Sequence, residues 1–537
     1  DSHHVIRSLD FIAHNSSIIV KPASVAIPTE IETDVVGGMT ARMGMYVENE
    51  ALHGRVVSIF SEDAHRSLDK LIFQKINTST IFSIDKMREK LQNQDIGSIH
   101  IKVDNDVVIL GSNIKAWNVL AMKVEGTFTA SSTFDADGTV HKAEISGKRI
   151  FIDAEYGFVL GADIKGEDYV QIKIREDFAV LPVLLYNELL LAGGFSERGV
   201  KVLASKIEAG LVDIDAGKFA TFMETIIKAT QGSIKADYVT FFKKEDTIKH
   251  IKVQQERMRE LSGWFPDVKL HSVDDQKKDF VGVELEFAKR LDIQVMKGHV
   301  DTGINYKSHE VHLTQEEGSI YFDEGMHFDK LYVDARRGSV LFGTGIKAAS
   351  SSVSGNVVMG NELFISCDSC DILNSQVIMK DKLKIIAKDN VFTMPLSMFK
   401  AWTHFDTFVT EGEARSTFLP KIAAEVLEID AGKFISMMGA AAEFSQLHMS
   451  AEYLNIERSK LTGHTAVTKT SSITNMSGNQ IDLTQMQQEA RSIFSTDNRS
   501  HVGTEVLQAE KLVMIDGDKK SGGNLHATGQ DISVTNS

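Results

Sequence analysis

Proline is scarce in this chain, six scattered residues in 537. That excludes a proline-rich linker, and it suits long hydrogen-bonded strands, whose ladders have no central place for a residue lacking an N–H. Basic tracts are missing as well. With a formal net charge of −16, the chain is poorly matched to nucleic acid or to an anionic membrane surface as its main partner. No apolar run is long enough to span a bilayer: the most apolar stretch, Phe178 to Phe195, is interrupted by Pro182, Asn187 and Glu188. The chain starts at Asp1 with no signal peptide and ends just after a repeat signal with no cap. The expectation is an excerpt or processed piece of a longer polypeptide.

Cysteine is scarcer still. Cys367 and Cys370, in a Cys-Asp-Ser-Cys group, are the only two. Such a group can be a redox pair, half a zinc site or a local disulfide, but a zinc ribbon needs a second pair and thioredoxin chemistry needs a helix start. The flanking Leu363-Phe364-Ile365 and Asp371-Ile372-Leu373 read as strands. A structural role, as buried thiols or a turn disulfide, is therefore favoured over redox or metal chemistry.

What the chain does contain is an internal repeat. Residues 209–241 read AGLVDIDAGKFATFMETIIKATQGSIKADYVTF, and 424–456 read AEVLEIDAGKFISMMGAAAEFSQLHMSAEYLNI. Ile-Asp-Ala-Gly-Lys-Phe runs from Ile214 to Phe219 and again from Ile429 to Phe434; Ala236-Asp237-Tyr238 answers Ala451-Glu452-Tyr453. Each copy also repeats on itself, Ile214-Asp215-Ala216 being followed by Ile234-Lys235-Ala236, so the unit is a coil of about 20 residues, the period of a solenoid. Strand alternation turns Ile214 and Ala216 inward and Asp213 and Asp215 to water. By the same pattern Ile429 and Ala431 face inward, and Gly217 and Gly432 are read as turn residues able to adopt φ > 0. One such strand buries little alone; stacked coils build a ladder and an apolar core. The composition, 42% hydrophobic and 25% charged, is ample for that core.

Along the chain the pattern divides four ways. Residues 1–98 read as irregular coils with loop or helical excursions, the latter around Leu68 to Phe73 and Met87 to Leu91. Residues 99–242 read as regular repeats, 243–330 as an irregular insertion or longer coils, and 331–537 as regular repeats closing on Leu525-His526-Ala527-Thr528. A second match, QIKIREDFAVLPV at 171–183 with KIIAKDNVFTMPL at 384–396, implies block duplication of about 70 residues, or several coils.

The LVDIDAGKF, GSIKADYVTF and GGNLHATGQDISV units, with degenerate versions over most of 99–241 and 331–537, resemble the haemagglutinin-repeat exoproteins of Gram-negative bacteria, of the filamentous-haemagglutinin and contact-dependent-inhibition type. The resemblance implies a right-handed parallel β-helix on the cell surface or secreted. It further implies two-partner secretion, with export of the unfolded chain through an outer-membrane β-barrel transporter, a route that near-absence of cysteine suits, and a use in adhesion or toxin delivery. The family's amino-terminal secretion domain, with its Asn-Pro signatures, is not seen, so the chain would be an internal portion of the rod. Glycine is also sparser than such repeats usually have.

Motifs with chemistry in them are weak. His309-Glu310-Val311-His312 imitates a zinc-protease motif, but its second His would have to stand at 313, which is Leu. Asp301-Thr302-Gly303 is half of an aspartic-protease site without its second half. Asp135 and Asp137 have calcium-loop spacing without the further ligands. No catalytic residue, metal ligand or cofactor is assigned. Trp264, Phe265 and His271, in the irregular region, are the receptor-contact candidates, aromatic anchors being typical of binding surfaces.

The expectation is a single β-solenoid of roughly 22–26 coils, on the order of 110–125 Å long at one strand spacing per coil. Its function would be that of a non-enzymatic adhesin or delivery stalk binding a protein or glycan receptor on a target cell. The alternatives are a β-helical polysaccharide lyase, hydrolase or tailspike, whose carboxylates meet in a groove, and a self-assembling filament joined end to end.

Overall fold

The computed structural model describes residues 8–13, 18–20, 40–43, 98–186 except 117 and 135–139, and 200–249 except 246. It further describes 280–343 except 299, 302–304 and 323–325, then 356–395, and 420–536 except 497, 517 and 520–523. Among these residues the chain is nearly all β, with helix confined to a turn between Lys244 and Lys249. The helical patches expected near 68–73 and 87–91 lie outside the described residues. The chain divides into two compact units, Asp1–Lys289 and Arg290–Ser537.

In the first unit, strands Glu144–Ala154, Asp163–Ile174, Ser205–Ala216 and Thr225–Ala236 pair in parallel, one above the next. Ile152, Ile172, Ile214 and Ile234 are register partners, all buried. The 20-residue step holds from Ile152 to Ile172 and from Ile214 to Ile234. Between Ile172 and Ile214 it stretches, because strands Val183–Tyr186 and Val200–Leu203 form an antiparallel hairpin outside the stack. A second parallel sheet carries Val107–Leu110, Thr127–Ser131, Tyr156–Leu160, Phe178–Leu181, Phe219–Phe222 and Tyr238–Phe241 in that order. The alternation expected at the repeat is present: Val212, Ile214 and Ala216 are buried while Asp213 and Asp215 are half-exposed.

The second unit repeats the plan with longer strands. One inward column runs Leu313, Val333, Ile365, Ile385, Ile429, Met449, Thr468, Gln488 and Leu507, every step a register partner and every side chain buried. Each large apolar member of such a column contributes about 1.5–3 kcal/mol by leaving water, and does so only against its neighbours above and below. Ala236 and Ala431 are buried as expected; Ala451 and Ala527 are half-buried. Leu525 and Ala527 lie in the strand Asn524–Thr528.

One corner of the coil follows a rule absent from the sequence reading. A residue in the left-handed region (Gly111, Gly161, Glu224, Asn374, Gly439, Arg458 or Gly478) is followed by a small buried one: Ser112, Ala162, Thr225, Ser375, Ala440, Ser459 or Asn479. The left-handed residue turns the chain, and the polar ones that follow tie coils together. Ser459 and Asn479 donate their backbone N–H groups to the side-chain carbonyls of Asn479 (2.9 Å) and Asn498 (3.1 Å). The side-chain amides of Asn479 and Asn498 in turn donate to the carbonyls of Ile456 (2.8 Å) and Met476 (3.2 Å). Buried polar groups are thereby satisfied across three coils.

Candidate interaction surface

The duplicated sequence builds the same turn in each unit. In the first, the N–H groups of Gly217, Lys218 and Tyr238 donate to the carbonyls of Ile174 (2.8 Å), Glu176 (2.9 Å) and Lys218 (2.8 Å). In the second, Gly432, Lys433 and Tyr453 donate to Ala387 (3.0 Å), Asp389 (2.8 Å) and Lys433 (2.8 Å). Both sequence matches, one per coil, meet in this contact. Neither glycine has the positive φ expected of it. What requires glycine is proximity: a Cβ on Gly217 would lie 1.8 Å from the carbonyl oxygen of Arg175, and one on Gly432 2.0 Å from that of Lys388.

Outside the turn the side chains match too. Lys218 pairs with Glu176 and Lys433 with Asp389 (2.8 Å). The carboxylates hold both ammonium groups above the usual lysine range, and Lys433 holds Asp389 below the usual carboxylate range. Beside each ion pair, two rings from successive coils stack: Phe219 on Tyr238 at 4.9 Å and Phe434 on Tyr453 at 5.0 Å, with interplanar angles of 16° and 22°. Phe219 and Tyr238 are 46% and 38% exposed. An aromatic plate flanked by a neutralised charge pair thus appears in each unit.

Elsewhere on the second unit several outward carboxylates are engaged by cations. Glu310 lies 3.7 Å from Arg290, which also binds Asp292; Arg336 joins Glu316 (2.6 Å) to Asp334 (3.2 Å); Lys330 meets Glu362 (2.9 Å). Glu428 accepts from Lys382 (2.7 Å) and lies 3.0 Å from Lys384, and these lysines lower its pKa. In the His309-Glu310-Val311-His312 group, which lies on the strand Asn305–Glu317, His309 pairs with Asp329 and His312 with Glu310. The His312 ring stacks on Tyr332 (4.4 Å), and Tyr332 stacks on Phe364 (4.9 Å). Among the described residues no group of three or more His, Cys, Asp or Glu is placed to hold a metal ion.

Trp264, Phe265 and His271 lie outside the described residues, as do Asp135, Asp137, Thr302 and Gly303. Within the region read as irregular, the strands Val283–Lys297 and Asn305–Glu317 are coils of the stack, and its upstream part is anchored at Glu224. Buried Glu224 accepts the N–H groups of Val281 (2.7 Å) and Gly282 (3.0 Å), and Thr225 donates to the Gly282 carbonyl (2.9 Å). Burial pushes the Glu224 carboxyl up against the opposing effect of those hydrogen bonds. A glutamate among ordinary residues gives no sequence signal for this; only its left-handed φ of 47° marks it.

Cys367 and Cys370 are buried free thiols facing into the coil on either side of a register shift in the strand Asn356–Leu373. The hydrogen bond to Cys367, together with burial, pushes the Cys370 thiol well up, so its reactive thiolate is suppressed. The adjoining Asp371 is buried as well. No protein-family model, curated protein or solved structure matches this chain.

Proposed function

We propose that each unit is a right-handed parallel β-helix and that the chain is a stalk portion of a surface-exposed or secreted adhesin or toxin-delivery exoprotein. The parent type would be the haemagglutinin-repeat exoproteins of Gram-negative bacteria, exported through an outer-membrane β-barrel partner and directed at a receptor on a target cell. The observation that carries this reading is the duplicated Ile-Asp-Ala-Gly-Lys-Phe turn. In both units it seats a glycine against the preceding coil and presents the same ion pair and aromatic plate outward. An outer face on which Glu316, Glu362 and Glu428 are held by Lys and Arg suits a solvated stalk better than a hydrolytic groove, which needs carboxylates left for substrate.

Two measurements test it. Electron microscopy of the purified chain, at a resolution that traces the coils, should show right-handed winding; left-handed winding would overturn the right-handed assignment and with it the resemblance, and no coil winding at all would remove the β-helix. Fluorescently labelled protein should then bind target cells saturably and be displaced by unlabelled protein. Release of reducing ends from a glycan panel, without saturable cell binding, would favour a polysaccharide-cleaving enzyme instead.

A further inference from the structure

Strand alternation sends Cys370 and Ile372 into the coil of the second unit and turns Asp371 and Leu373 outward, yet these two are only 8% and 5% exposed. They belong to a face that is buried or half-buried although it lies outside the coil. Its first row runs across the register through Leu341, Asp371, Phe392, Ser436 and Asn455. Beside it, Leu373, Met394 and Met438 form a separate apolar cluster against which Phe392 packs. Asp371 is the one acidic member of the row. Its Oδ1 has no hydrogen-bond partner. Its register neighbours Leu341 and Phe392 are apolar, and Ser436 and Asn455 beyond them are neutral. On its own strand the Cys370 thiol is the titratable group that feels its charge, with Cys367 hydrogen-bonded behind it.

We propose that the outer cluster of Leu373, Met394, Met438 and Phe392 is a pH-governed cover, closed while Asp371 carries its proton and opened when Asp371 ionises. Placing an unpaired carboxylate in an apolar, hydrogen-bond-poor site is costly, and the group escapes that cost by staying protonated or by reaching water. Burial pushes the Asp371 carboxyl up to about 7; once the cluster opens, the group returns to the ordinary aspartate range. The closed form therefore binds the proton more tightly. Its advantage is complete in acid and is lost as pH rises through 7, above which opening levels off. From about pH 5.5 to about pH 8.5 the opening equilibrium should grow on the order of 30-fold.

Hydrogen exchange on the full chain, read by mass spectrometry and corrected for the intrinsic pH dependence of exchange, measures that opening. Amides of Asp371 to Leu373, Phe392 to Met394 and Met438 should show the rise with a midpoint near 7, while the inward column at Val333 and Ile385 does not. Asp371→Asn, neutral at every pH, should hold the same amides protected throughout. A flat wild-type profile overturns the proposal, and so does an Asp371→Asn protein that keeps the rise. Should that variant fail to fold, binding of an apolar dye to the wild type decides: fluorescence rising with a midpoint near 7 sustains the cover, and its absence removes it.

Discussion

A methyl group is enough to probe the contact on which the repeat depends. At Gly217 it would meet the Arg175 carbonyl at 1.8 Å, and at Gly432 the Lys388 carbonyl at 2.0 Å. Both obstacles are backbone, held in a strand ladder on each side, so neither can swing away as a flexible side chain would. Gly217→Ala or Gly432→Ala should therefore cost on the order of 3 kcal/mol or more, as overpacked sites do, and lower the urea midpoint accordingly. Gly147 is the matched control, since a Cβ there would stand 3.4 Å from its nearest neighbour, the Ala116 carbonyl oxygen. Equal midpoints for Gly217→Ala and Gly147→Ala would show that close approach is not the constraint. The glycine was legible in the sequence, but its reason was not. Turn chemistry predicts a left-handed backbone from a single residue, whereas the actual cause is a chain segment 42 positions earlier, invisible until the coils are stacked.

At the scale of the element, the coil is the removable piece. Ala441, Lys460 and Gln480 are successive register partners, as are Met449, Thr468 and Gln488. Deleting residues 460–479 would set Gln480 on Ala441 and Gln488 on Met449, keeping inward residues inward, and would leave Ser459 to meet Asn498 where it now meets Asn479. Such a protein should fold with an unchanged β-type circular dichroism spectrum. Deleting only 465–474 leaves half a coil, cannot restore the register and should give an aggregated or unfolded product. If the two deletions behave alike, the coil is not the unit of folding. The 20-residue step was readable wherever no excursion interrupts it, as from Ile214 to Ile234. It was unreadable between Ile172 and Ile214, where the Val183–Tyr186 and Val200–Leu203 hairpin stretches the spacing. The corner rule escaped for a different reason: Ser, Thr and Asn are common in any turn, and only their register shows Ser459, Asn479 and Asn498 to be one stack.

Across the whole molecule, stability should follow the interior of each coil, because a stacked coil is held by its neighbours rather than by one shared core. The interior is not uniform. From Leu363 to Met394 the inward residues are Leu363, Ile365, Ile372, Val377, Met379, Leu383, Ile385, Ala387 and Val391, with the two thiols and one polar member, Thr393, whose hydroxyl lacks a partner. Between Leu461 and Ile493 the column instead admits Thr468, Thr470 and Gln488, and the hydroxyls of Thr468 and Thr470 have no hydrogen-bond partner. A buried hydroxyl without a partner costs about 1–3 kcal/mol relative to one that has found it. The alternation that identified strands from sequence treats such positions as breaks in the pattern, so a polar residue facing inward could not be told from a loop. Hydrogen exchange at a single mildly acidic pH, where Asp371 stays protonated, should consequently release the strands Lys460–Ser477 and Gln480–Thr496 before Asn356–Leu373 and Ser375–Met394, by about tenfold or more in opening. Simultaneous exchange of all four strands would mean that the second unit opens as one cooperative body, and local interior composition would then have no say in where it yields.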